Sequence, residues 1–121
     1  MPSILIVDDE AAIRSLLEVA FQRAGYDVRT APGGPEAVAL CAAESFDAVL
    51  SDVAMPQMSG HELARWISER HPRTRMVLMS GFDLGCQDCP TAAPCRFLPK
   101  PFRLGEVLSM VGSAIAEPSA N

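Results

Sequence analysis

The sequence predicts an α/β domain, a doubly wound parallel sheet of five strands with about five helices, on three observations. Five short apolar runs, at 4–7, 26–30, 46–51, 75–80 and 96–98, punctuate the chain. Residues at helical spacing fill most of the intervals between them. Polar residues able to carry chemistry stand where four of the runs end. Strands alternating with helices mark a parallel sheet covered on both faces and joined by right-handed crossovers.

Ile4-Leu5-Ile6-Val7 is the first strand. Ile13, Leu16, Leu17, Ala20, Phe21 and Ala24 then recur as one apolar stripe of a helix, and Gly25 stands where a left-handed cap would end it. A short strand over 26–30 leads to the turn-rich Pro32-Gly33-Gly34-Pro35. The second helix runs to about Ala43, with Ala37, Val38 and Cys41 inward. Residues 46–51 supply the third strand, and 56–60 break the chain before a third helix. Ser59 and Glu62 have the spacing of a capping box. Leu63, Trp66 and Ile67 form that helix's apolar stripe, Pro72 ends it, and His61 and His71 on it are expected to be solvated. Met76-Val77-Leu78-Met79 is the heart of the fourth strand and Arg96-Phe97-Leu98 the fifth. Between them, 81–95 holds Gly85, Pro90 and Pro94, which oppose helix propagation, so the fourth helix is expected short or broken. Leu104, Val107, Leu108, Val111 and Ile115 stripe the last helix, and 117–121 reads as a frayed tail.

A length of 121 residues predicts a single domain over 1–121, with an ordered core at about 3–116. The 49% hydrophobic content supports a packed core, yet no apolar stretch approaches the roughly 20 residues that span a bilayer. No membrane partner is expected. The start shows no basic segment followed by a long apolar one, so the chain is expected to be cytoplasmic. Ten Lys and Arg against fifteen Asp and Glu give a net charge of −5, which disfavours a nucleic-acid surface.

In a doubly wound sheet the ligand crevice lies at the carboxyl ends of the strands. Asp8-Asp9-Glu10 follows the first strand, Asp52 the third, Ser80 ends the fourth and Lys100 follows the fifth. Crowded carboxylates repel unless a cation sits among them, and an incomplete cage of hard oxygens suits Mg²⁺. Asp9 and Asp52 are the expected direct ligands, with Asp8 holding a bound water. A carboxylate beside a metal can attack phosphorus, so Asp52 is the candidate nucleophile, Lys100 the cation that offsets charge, and Ser80 the hydroxyl donor. Each residue alone has a plainer reading: Asp8 or Asp9 as a helix cap, Ser80 as turn chemistry, Lys100 as a solvated charge. Their joint placement at strand ends favours the site.

These residues fall in Ile6-Val7-Asp8-Asp9-Glu10, Leu50-Ser51-Asp52-Val53-Ala54-Met55-Pro56-Gln57-Met58-Ser59-Gly60, Met79-Ser80-Gly81 and Leu98-Pro99-Lys100-Pro101-Phe102. From Ser3 to Ala116 the chain resembles the response-regulator receiver family of two-component signalling. The resemblance implies a flavodoxin-like sheet of order 2-1-3-4-5 and phosphorylation of Asp52 by a histidine kinase or phosphotransfer protein. It further implies Mg²⁺ contact by the Ala54 backbone carbonyl, a switch made of Ser80 and Phe97, and a cis Lys100-Pro101 bond. Signalling to a downstream protein target or a homodimer is expected through the face of the fourth helix, fifth strand and fifth helix. Such a chain is not a turnover enzyme beyond its own phosphorylation and dephosphorylation. The positions two after Asp52 and two after Ser80 are Ala54 and Phe82, neither able to orient a water, so slow dephosphorylation is expected.

Two other classes stay open. A haloacid-dehalogenase-like phosphatase shares the Asp nucleophile, Mg²⁺, hydroxyl and Lys, but places its nucleophile after the first strand. A receiver scaffold serving as a metal or redox sensor would use Cys86, Cys89 and Cys95, whose C-x2-C-x5-C spacing lacks a fourth ligand for a closed zinc site. Reduced thiols, a redox pair and a metal site all remain readings of that cluster.

Overall fold

The computed structural model describes residues 2–80 and 96–116. Strands β1 (Ser3–Val7), β2 (Asp27–Ala31), β3 (Ala48–Asp52), β4 (Arg75–Ser80) and β5 (Arg96–Pro99) form one sheet in the order β2-β1-β3-β4-β5. Every pairing is parallel. Among the described residues there are four helices: α1 (Ala11–Arg23), α2 (Gly34–Ala43), α3 (Gly60–Arg70) and α4 (Leu104–Ala116). The last of these takes the place of the expected fifth helix. The expected short or broken fourth helix, and with it Phe82, Cys86, Cys89 and Cys95, lies outside the described residues.

Strands β1, β3 and β4 are buried on both faces over most of their length, which explains why they read as continuous apolar runs, whereas the edge strand β2 alternates exposed and buried residues. In β1, Ile4 and Ile6 point into one layer with Leu17 and Phe21 of α1 and Val107 and Val111 of α4. Leu5 and Val7 point into the other, with Ala37 and Cys41 of α2 and Leu63 and Ile67 of α3. A fully buried side chain of this size contributes about 1.5–3 kcal/mol, so both layers hold the strand ends in register.

Local punctuation follows the residues. Gly25 takes a left-handed φ of 95° after α1. Ser59 and Glu62 close a reciprocal capping box at the start of α3, which ends at Arg70 with His71 as its C-cap and Pro72 beyond. Two strands are displaced from expectation: β2 begins one residue later, and β3 begins at Ala48 and extends through Asp52. Asp52 is therefore the last residue of its strand, not the first beyond it. Pairing of Asp52 with Met79 carries the ladder that far. Leu16 corrects the α1 stripe: it is 50% exposed, as is Val19 at 47%, because the sheet needs only the narrower face of Leu17 and Phe21.

Candidate functional site

At the carboxyl edge of the sheet, β1, β3, β4 and β5 end side by side, and the side chains there are polar. Asp8 follows β1 and is fully buried. Its Oδ1 accepts the Glu10 N–H at 2.9 Å, and its backbone carbonyl accepts from Arg14 Nη1 at 2.7 Å. Its Oδ2 is buried without a hydrogen bond among the described residues, with Lys100 Nζ 3.8 Å away. The α1 N-cap is Glu10 and carries no side-chain cap bond, so the plainer reading of Asp8 or Asp9 as the helix cap does not hold.

Asp52 is 6% exposed. Its Oδ1 accepts from Lys100 Nζ at 3.3 Å, and its carbonyl accepts from the Ser51 hydroxyl at 2.9 Å. Asp9 is exposed at the mouth. One carboxylate oxygen from each of Asp8, Asp9 and Asp52 lies within 4.8 Å of the other two. Ser80 is buried at the end of β4, and its carbonyl accepts the Lys100 N–H at 2.9 Å. Lys100 follows β5 and precedes Pro101 through a cis peptide. Ala54, two residues past Asp52, is exposed. The structure thus brings Asp8, Asp9, Asp52 and Lys100 together, with Ser80 tied to Lys100 through the backbone.

Burial pushes the Asp8 carboxyl up to about 6; donation from Glu10 lowers it, Asp52 raises it, Lys100 lowers it and Asp9 raises it. Three carboxylates against one ammonium leave the cluster short of positive charge. An orphaned buried oxygen and an all-oxygen donor set are what a hard divalent cation compensates, so the acidic cluster is compatible with Mg²⁺.

Two contributors escaped the sequence reading. Arg14 reaches back from α1 to the Asp8 carbonyl, and Ser51 binds the Asp52 carbonyl. A long guanidinium stem leaves no positional signal, and a Ser inside an apolar run reads as filler. His61 and His71 also depart from the solvated expectation. His61 stands 5.8 Å from Phe97 between ring centroids, and His71 6.1 Å from Trp66. Phe97, the expected switch aromatic, is only half-buried. Cys41 is buried, with its thiol pushed up to about 11 by burial and by Glu44, which leaves it unreactive.

Residues 4–112 match the model of the response regulator receiver domain. The chain is 39% identical over 114 residues to the response regulator protein PilR of Pseudomonas aeruginosa, covering 92% of this chain and 25% of that protein. It is 36% identical over 118 residues to the DNA-binding transcriptional regulator NtrC of Rhizobium meliloti, covering 96% and 24%. The chain therefore spans about a quarter of the length of these relatives. Among solved structures, the response regulator protein TrrA of Thermotoga maritima in complex with Mg²⁺ and BeF superposes with a TM-score of 0.84 at 32% identity, over 94% of this chain and 99% of that one.

Proposed function

The chain belongs to the response regulator receiver domain family, and from that premise we propose that it accepts a phosphoryl group on Asp52 from a histidine kinase or phosphotransfer partner. The observation that carries this reading is the convergence of Asp8, Asp9, Asp52 and Lys100 at the carboxyl edge of the sheet. In the proposed reaction an Asp52 carboxylate oxygen attacks phosphorus, the new O–P bond forms, and the bond from phosphorus to the donor's leaving atom breaks. Lys100 holds Asp52 by Oδ1 and offsets charge on the transferring oxygens. The Ser80 hydroxyl donates to a phosphoryl oxygen and joins Phe97 as the switch. Asp9, Asp52 and the Ala54 carbonyl would hold Mg²⁺, with Asp8 acting through a water. That ion, when bound, supplies electrostatic stabilisation of the transferring phosphoryl group.

The family consists of signalling domains; for this chain we propose no turnover beyond its own phosphorylation and dephosphorylation. No described helix is long and apolar enough to cross a membrane; the cytoplasm is the proposed site of action, as suits the receiver family. The output is a protein surface that includes β5 and α4, engaging a downstream target or a second copy. The chain's excess of acids disfavours direct nucleic-acid contact by this domain. Exposure to acetyl phosphate with and without Mg²⁺, followed by intact mass, tests the proposal. A gain of about 80 Da per chain only with Mg²⁺ is expected, and no gain under either condition would contradict it.

A further inference from the structure

The first turn of α3 touches both the acidic site and β5. Gly60 opens that helix directly over the end of β3, and its N–H donates to the Val53 carbonyl at 2.9 Å. A Cβ at this position would stand 2.5 Å from the Asp52 carbonyl oxygen and 2.9 Å from Val53 Cα. Backbone meets backbone without slack, so a shift at the end of β3 carries Gly60 with it. The capping box, with Ser59 Oγ accepting from the Glu62 N–H at 3.2 Å, makes the turn move as a unit. The next residue is His61, whose ring lies 5.8 Å from Phe97 with a 40° tilt. Phe97 sits in β5, and Lys100, just past that strand, returns to Asp52 at 3.3 Å. The contacts close a ring through Asp52, Gly60, His61, Phe97 and Lys100.

We propose that His61 is a positioning residue for Phe97, transmitting a change at Asp52 to the β5 surface through the N-terminus of α3. The inference rests on Asp52 being the phosphoacceptor and adds a route that does not pass through Ser80. Phe97 can serve as the moving part because it is half-buried, whereas its neighbour Leu98 is 3% exposed and locked in the core. Two rings in contact prefer particular mutual orientations, so displacement of one biases the rotamer of the other.

The test places a fluorinated phenylalanine at position 97 of the full chain and records its ¹⁹F spectrum with and without Mg²⁺ and beryllium fluoride, a phosphoryl mimic. Calorimetry measures the affinity for the mimic in the same conditions. His61→Ala is expected to move the resonance of the unliganded protein and to change the mimic's affinity by roughly two- to ten-fold, as suits an aromatic contact made in one state only. His61→Phe should restore the parent spectrum in part. In a Phe97→Leu background, His61→Ala should leave the affinity unchanged. Equal effects of His61→Ala in both backgrounds, or none in either, would overturn the proposal. Failure of the parent protein to bind the mimic, or equal binding by Asp52→Ala, would overturn the Asp52 reading and this inference with it, a result distinct from additivity at His61.

Discussion

Lys100 sets its ammonium nitrogen 3.3 Å from Oδ1 of Asp52. The same nitrogen is 3.8 Å from Oδ2 of the fully buried Asp8, so one cation from the end of β5 serves carboxylates from the ends of β1 and β3. Lys100 is largely withdrawn from water, its side chain 26% exposed, and the pair is less screened than one on the surface. Lys100→Ala is expected to leave the fold intact, because the side chain contributes to neither core layer. Phosphorylation by acetyl phosphate should slow by about 10²–10³, the range for removing one charge-stabilising donor. The rate of mass gain, with circular dichroism as control, checks it.

Asp8 makes the pH dependence of stability depend on metal. Its folded-state carboxyl is pushed up to about 6 from an ordinary value of 3.8, so the folded state holds the proton more tightly than the unfolded chain. The stability linked to that proton is fully present below about pH 4 and is lost as the pH rises through 6. Metal-free protein should weaken over that window by on the order of 1–3 kcal/mol from this group. Asp8→Asn should flatten the slope, and Mg²⁺ should offset the loss at neutral pH. Thermal unfolding across this range, with and without Mg²⁺, would count against the account if parent and variant showed the same slope.

Two glycines should respond oppositely to alanine. At Gly60 the added methyl meets backbone at 2.5 Å, an overpacking that costs about 1–3 kcal/mol. At Gly105, in the first turn of α4, it meets nothing within 4 Å, and the loss of unfolded-state freedom should stabilise by about 0.4–1 kcal/mol. Denaturant midpoints of Gly60→Ala and Gly105→Ala check the pair, and a neutral Gly60→Ala would contradict the close approach.

Ala54 stands exposed two residues past Asp52, with a methyl that can neither orient nor deprotonate a water. The phosphorylated domain should therefore lose its phosphoryl group slowly. Ala54→Glu should shorten the lifetime by about ten-fold or more through general-base assistance. Mass spectra taken after removal of the donor give both lifetimes.

The carboxyl edge of the sheet was legible in the sequence because burial on both faces makes β1, β3 and β4 nearly continuous apolar runs, with a shorter one in β5, and a polar residue ending such a run stands out. That logic found Asp8, Asp52, Ser80 and Lys100 without any contact information. It misplaced the end of β3 by one residue, since Asp52 still pairs with the β4 ladder while its side chain faces the crevice. Helical spacing marked Leu16 as inward, but a wide apolar stripe does not say which of its members the sheet covers. Contacts set by tertiary docking left no periodic signal. Arg14 reaches Asp8 across the start of α1, and His61 meets Phe97 across two elements distant in sequence.

The phosphoryl group is expected on a carboxylate oxygen of Asp52. Protein treated with acetyl phosphate and Mg²⁺, then reduced with borohydride, carries its former acyl phosphate as an alcohol that peptide mapping can locate. Reduction is expected at residue 52 in the parent chain, with neither reduction nor a gain of about 80 Da in Asp52→Asn. Reduction at Asp8 or Asp9, or an Asp52→Asn protein that still gains that mass, would contradict it.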